Sequence, residues 1–193
     1  MIMQIDVYDF DKTVVPYDSA MKYWHWCLLH RPYLILILPF QVFVSLLALL
    51  RIISVPTYKK YCFRFVSLLN TKKTVSKFWD RHQKDVYPFF LPENRKSGRK
   101  CIVISASPAF LIEEIAKRLK VDYCIASIHD EKSGKLVGEV CRREQKVARL
   151  RALLPDAEVF DVYSDSIEHD RYIFELGKTR YLATKGTLRV VEN

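Results

Sequence analysis

Ile5-Asp6-Val7-Tyr8-Asp9-Phe10-Asp11-Lys12-Thr13 is the stretch on which the reading of this chain turns. Its first half has the apolar texture of a β-strand, expected over residues 3–9. Its second half sets two carboxylates two residues apart, just where that strand should end. In open α/β sheets, ligands bind in the crevice at the carboxyl ends of the strands. Two acids there can divide the work of a displacement: one holds a cation and attacks, the other moves protons. The same pattern also suits a surface turn, or a helix N-cap followed by a first-turn acid.

Strand and helix patterns alternate from Cys101 onward. Apolar runs at 101–104, 121–126, 159–163 and 180–183 read as strands, with an extra one at 187–191 and part of a hairpin at 134–140. Between them, Ser107 reads as a helix cap with Pro108 as the first helical residue. Further helices are expected over 145–154 and through Ile173 and Phe174. Such alternation predicts an α/β fold with a doubly wound parallel sheet. Ser105 follows one strand, Lys146 opens a helix, and Asp165 follows another strand. In a parallel sheet these positions face the same crevice as Asp9. One hydroxyl, one ammonium and several carboxylates suit phosphoryl transfer. Oxygens hold a hard cation such as Mg²⁺, the lysine and hydroxyl orient phosphoryl oxygens, and a carboxylate attacks phosphorus. Taken singly, Ser105 could be a turn former, Lys146 a solvated helix charge and Asp165 a cap.

The first strand is separated from the others by a long helical pattern. Residues 1–17 with 92–193 therefore read as the core, and 18–91 as an inserted helical cap. Asp18-Ser19 offers an N-cap for the first cap helix. Two more helices are expected over 57–70 and 74–87, with His82 as a packing or surface residue. Residues 32–50 contain no charged side chain, and Arg31 and Arg51 bracket them, with Lys59, Lys60 and Arg64 following. As one helix this segment would span on the order of 28 Å, about a bilayer core.

At 193 residues the chain suits one domain with an insert. A net charge of +9 invites an anionic partner: a phosphorylated substrate, an acidic membrane surface or nucleic acid. No nucleic-acid-binding module is recognisable, so no nucleic acid is expected. The five cysteines include no C-x-x-C pair, which argues for free thiols in a reducing compartment. Asp6, Asp9 and Asp11 come too early for a signal peptide. The oligomeric state stays open.

Asp9-Phe10-Asp11-Lys12-Thr13 resembles the D-x-D-x-T motif of the haloacid-dehalogenase-like phosphatases. Ile104 to Pro108 resembles their second motif, Arg143 to Leu150 their third, and Tyr163-Ser164-Asp165-Ser166 their fourth. The helical insert between the first two motifs suits the phosphoserine-phosphatase-like subfamily. This resemblance implies a Rossmann-like core. It implies Asp9 as nucleophile and metal ligand, and Asp11 as the acid–base that also lends its carbonyl to Mg²⁺. It further implies Ser105 and Lys146 as phosphate-binding groups, Asp165 as a metal ligand, and Thr13 as a brace for the loop. The family's second acid should come four residues after Asp165. His169 stands there with Asp170 next, so either could serve that place.

Within the subfamily, the Tyr163-Ser164-Asp165-Ser166 motif, the Lys146-Val147-Ala148 helix and the early apolar segment look most like phosphatidylglycerophosphate phosphatases. Phosphoserine phosphatases have a glutamate where Asp18 stands, and a small soluble phosphomonoester such as phosphoserine is the alternative substrate. A catalytically weak membrane-associated binding module, suggested by His169, is the alternative of another class. One topological constraint is independent of the resemblance. Asp9 precedes the apolar segment and its partners follow it, so a single crossing would separate them. Residues 32–50 are then a buried cap helix, an oligomer contact, or a monotopic or re-entrant insertion broken near Pro39, with basic borders suited to anionic headgroups. The expected location is cytoplasmic, on the inner face of the membrane if the segment inserts.

Overall fold

A computed structural model describes residues 2–54, 57, 58, 61, 63–130 and 132–191. Six strands form one sheet: β1 (Gln4–Tyr8), β2 (Lys100–Pro108), β3 (Tyr123–Ser127), β4 (Glu158–Ser164), β5 (Thr179–Thr184) and β6 (Thr187–Val190). Their order is β3-β2-β1-β4-β5-β6. The first five are parallel, and β6 returns antiparallel along β5 as an edge strand. The strand order reverses between β1 and β4, so the crevice of a doubly wound sheet lies beyond their carboxyl ends.

Alternation along the strands builds two cores. Ile5 and Val7 of β1, with Ile102 and Ile104 of β2, face a layer that includes Leu150 of α5 (Glu144–Leu153) and Ile173 and Phe174 of α6 (Arg171–Phe174). Tyr8 and Val103 face the other way, onto α4 (Ala109–Arg118) and the helices inserted between β1 and β2. Period-two alternation in strands buried on both faces explains why their runs are almost wholly apolar.

The inserted helices are α1 (Ser19–His30), a 3₁₀ segment (Pro32–Ile37), α2 (Leu38–Leu49) and α3 (Thr71–His82). Asp18 caps α1 as expected, accepting from the Met21 N–H at 2.8 Å. Asn70 caps α3 in the same way. Trp79 of α3 donates its indole N–H to the Leu111 carbonyl on α4 at 2.8 Å, and Arg118 of α4 reaches Asp80 and Ser76. Tyr23 of α1 and Thr74 of α3 share a buried hydroxyl contact at 2.8 Å.

Several expected elements differ. β2 runs on through Ser107 to Pro108, so Ser107 is no helix cap; its side chain is drawn elsewhere, as described below. The hairpin expected at 134–140 is reduced to a single bridge between His129 and Leu136. The helix expected over 57–70 shows a short 3₁₀ turn, Arg64–Leu68, while Lys59, Lys60 and Cys62 lie outside the described residues. The helix expected over 74–87 starts earlier and gives way after His82 to a 3₁₀ turn, with the His82 ring against Asp85 at 3.0 Å. The cysteines described are free thiols.

Residues 32–50 are not a core element: a 3₁₀ segment runs directly into α2, one continuous helical stretch over Pro32–Leu49 that is mostly exposed. Pro39 lies in the first turn of α2, directly after the 3₁₀ segment, as its missing N–H favours. Pro32–Leu49 has a mean hydropathy of 2.2, yet only 11% of it is buried. Leu34 and Val44 turn inward, whereas Ile35, Leu36, Val42, Phe43 and Leu49 stand exposed. The buried-helix alternative therefore fails for this chain on its own.

Candidate active site

The loop after β1 turns sharply. Lys12 takes a left-handed φ of 59°, its N–H bonds the Tyr17 carbonyl at 3.1 Å, and the Val14 N–H returns to the Phe10 carbonyl at 2.8 Å. Asp9 is held to the neighbouring strand by its own N–H, which donates to the Tyr163 carbonyl at 2.8 Å. The turn presents Asp9 and Asp11 at the crevice while Phe10 is fully buried beneath them.

Lys146, in the first turn of α5, is 3% exposed and lies between two acids. Its ammonium is 2.6 Å from Asp9 Oδ1 and 2.7 Å from Asp170 Oδ1. Asp170 is buried as well and accepts from Ser164 Oγ at 2.7 Å. Burial alone would favour the neutral amine, but Asp9 and Asp170 together outweigh it and raise the Lys146 pKa. Burial pushes the Asp9 carboxyl up, to about 7; the lysine opposes that rise and Asp170 adds to it.

Thr13 links the ends of β1 and β4. Its hydroxyl donates to Asp9 Oδ2 at 3.2 Å and accepts the Asp165 N–H at 2.8 Å. Asp165 is half-buried, and its carboxyl is raised first by burial and then by Asp170. Asp11 faces the other way, toward the inserted helices. Its Oδ1 accepts the Ser19 N–H at 2.7 Å, and its Oδ2 accepts Ser107 Oγ at 2.5 Å and, more loosely, Ser105 Oγ at 3.4 Å. Burial raises the Asp11 carboxyl, with Asp18 adding to the rise.

Asp9, Asp11, Thr13, Ser105, Lys146 and Asp170 are thus brought together, with Asp165 joined through its backbone. His169 is not: it is exposed, and its backbone N–H bonds Ser166 Oγ. Of His169 and Asp170, Asp170 is the one that reaches the cluster, because the short turn before α6 rotates it inward. Ser107 was missed as a site residue. Its signal was position: residues i and i+2 of a strand share a face, and Ser105 already pointed at the crevice.

The cluster carries four carboxylates against one buried ammonium, all presented as hard oxygen donors. That chemistry fits Mg²⁺, with Asp9, Asp165 and the Asp11 carbonyl as the residues that would hold it. Among the described residues there is no ready-made group of three or more His, Cys, Asp or Glu side chains for a metal. A set of two carboxylates and a carbonyl does not require one.

A family model described as haloacid dehalogenase-like hydrolase matches residues 7–175. The chain belongs to this family. Among solved structures, this haloacid dehalogenase-like hydrolase is similar to a protein of unknown function from Bordetella pertussis Tohama I, with 14% identity and a TM-score of 0.67, over 94% of this chain and 82% of that one. It is also similar to a probable phosphoserine phosphatase from Vibrio cholerae, with 16% identity and a TM-score of 0.62, over 92% of this chain and 55% of the other. A HAD-family hydrolase from Salmonella enterica serovar Typhi shares 14% identity at a TM-score of 0.53, over 83% of this chain and 56% of that one. This chain therefore spans only about half the length of the latter two. At such identities the likeness is one of fold. No curated protein sequence matches the chain significantly.

Proposed function

We propose that this hydrolase is a Mg²⁺-dependent phosphomonoesterase that works through an aspartyl-phosphate on Asp9. Its proposed substrate is a phospholipid headgroup such as phosphatidylglycerophosphate. Residues 1–17 and 92–193 form the catalytic core in this reading, and 18–91 form the cap. The observation that carries it is the Lys146 ammonium held at 2.6 Å from Asp9 in a buried site, with Asp11 hydrogen-bonded separately on the other side of the loop.

Asp9 attacks phosphorus through a carboxylate oxygen while the bond from phosphorus to the leaving oxygen breaks. Asp11 gives its proton to that oxygen; burial favours the protonated form such a donor needs. Asp11 then takes a proton from the water that attacks the aspartyl-phosphate, which releases phosphate and restores Asp9. Lys146 and the Ser105 hydroxyl balance charge on the phosphoryl oxygens, and Asp170 keeps the ammonium in place. Thr13 orients Asp9 and the Asp165 backbone. Bound Mg²⁺ would supply neutralisation of the incoming phosphate charge among these acids.

The exposed apolar segment supports association with a membrane surface, proposed here as the cytoplasmic face. The 3₁₀ segment and α2 form one continuous helical run, Pro32–Leu49, whose length and apolar composition suit insertion into a bilayer. The closeness of Asp9 to Lys146 excludes a single crossing between them. A monotopic insertion meets both conditions, with Arg31, Arg51 and Arg64 at its borders for anionic headgroups. The phosphoserine alternative is weakened at Asp18, which stands where those phosphatases carry a glutamate and whose carboxylate caps α1. The binding-module alternative leans on His169, which is exposed, whereas the buried Asp170 beside it meets Lys146 and favours the catalytic reading.

Phosphate release from phosphatidylglycerophosphate, phosphoserine and small phosphomonoesters, with wild type and Asp9→Asn, in Mg²⁺ and in EDTA, tests the reading. Activity confined to wild type with Mg²⁺, and highest on the lipid, is expected. Equal background in every condition would sink the catalytic reading. Failure to float with anionic liposomes would sink the membrane reading.

A further inference from the structure

A cavity of about 650 Å³ opens beside the acid cluster, between α1, α2 and the turn around Phe65. This volume lies in the range that engulfs most of a small ligand's surface. Its walls are mainly apolar, with Met21, Trp24, Phe40, Val44, Leu46 and Phe65 among them. Its placement against the loop is one-sided. Asp11 and Ser107 line it, whereas Asp9, Lys146 and Asp165 do not.

That one-sidedness assigns a direction to the site. The phosphoryl group belongs with Asp9 and Lys146, so whatever fills the cavity lies on the side of the group that protonates the leaving oxygen. Resting on the proposed roles of Asp9 and Asp11, we infer that the cavity holds an apolar chain carried by the leaving group, so that the enzyme selects phosphate monoesters of long-chain alcohols or lipids by their hydrocarbon. α2 then has two jobs. Phe40, Val42, Val44 and Leu46 wall the cavity, while Phe43 of α2, like Leu36 of the preceding 3₁₀ segment, lies outside it and stands exposed. A soluble phosphate ester with a polar leaving group would leave this wall against water and gain nothing from it.

The test is a series of n-alkyl phosphates, ethyl to decyl, used below their micelle concentrations. Each added methylene buried in the cavity should raise kcat/KM about three- to four-fold until the cavity is filled. Ser45→Trp, at an exposed lining position on α2, fills the cavity and should bring the octyl-to-ethyl ratio close to one. Leu29→Ser, exposed on α1 outside the cavity, should keep the wild-type ratio. Binding of the matching alkyl phosphonates, followed by Trp24 fluorescence, gives the same comparison without turnover. It decides the inference even if no ester is hydrolysed and the phosphatase reading falls. Equal kcat/KM and equal phosphonate affinity from ethyl to decyl would overturn the inference, as would a Ser45→Trp variant that keeps the full chain-length slope.

Discussion

Lys146→Met is the sharpest probe of the acid cluster. Methionine nearly matches the lysine stem in volume, so the change removes charge without opening a large cavity. Two ion pairs, at 2.6 and 2.7 Å, disappear together, leaving Asp9 and Asp170 facing each other with side chains 12% and 5% exposed. Removing one partner of a buried pair costs about 3–5 kcal/mol, because the remaining charge is left uncompensated. Here two acids are left, so the loss depends on pH. Burial already holds the folded-state pKa of Asp9 at about 7, above an ordinary carboxylate near 4, with Lys146 pulling it down. Without the ammonium it rises further. A group whose folded pKa is raised contributes its stability below the unfolded value and loses it as pH climbs through the folded one. Urea unfolding in EDTA, followed by tryptophan fluorescence at about pH 5 and about pH 8, should therefore show a variant close to wild type in acid. At the higher pH it should be less stable by roughly 3–5 kcal/mol. Equal stability of variant and wild type at about pH 8, or a loss that does not change with pH, would refute the electrostatic account of this cluster.

Thr13→Val removes the hydroxyl that ties Asp9 to the Asp165 backbone. It should lower kcat or Mg²⁺ affinity about 10- to 100-fold, the usual scale for groups that orient metal ligands, with the circular dichroism spectrum retained. Trp79→Phe leaves the Leu111 carbonyl without its indole donor and should cost about 1–3 kcal/mol in chemical denaturation, loosening α3 from α4. Gly134→Ala meets two penalties. The backbone sits at φ +68°, and a Cβ would lie 2.0 Å from the Phe63 carbonyl oxygen. Gly98→Ala, at φ +78° with nothing within 4 Å, pays only the handedness cost of about 1–2 kcal/mol. A thermal melt should therefore place the Gly134 variant clearly below the Gly98 variant.

Legibility in the sequence tracked the range of the interaction involved. Strand positions, the α1 cap at Asp18 and the placement of Ser105, Lys146 and Asp165 at element ends follow from periodicity and from residues a few places apart. Those signals are written locally. The fold class rests on the same signals, and the parallel order with β1 at the centre of the sheet agrees with it. The extra strand expected at 187–191 is β6, but its antiparallel direction was not legible, because a strand's direction depends on its partner.

Other features required the folded chain. Ser107 before Pro108 has every local mark of a helix cap, yet β2 carries it two residues beyond Ser105 and Asp11 captures its hydroxyl. Residues 169 and 170 differ by one position, and only the turn leading into α6 decides which faces Lys146. Apolar composition marked 32–50 as buried or membrane-bound without choosing. Packing leaves most of it exposed, because α1 and α3 already cover the inner layer and leave α2 little core to join. Chemistry-bearing residue types and their order along the chain are properties of the sequence. Which of them meet, and on which side of Asp11 the apolar cavity opens, are properties of contacts between residues far apart in it.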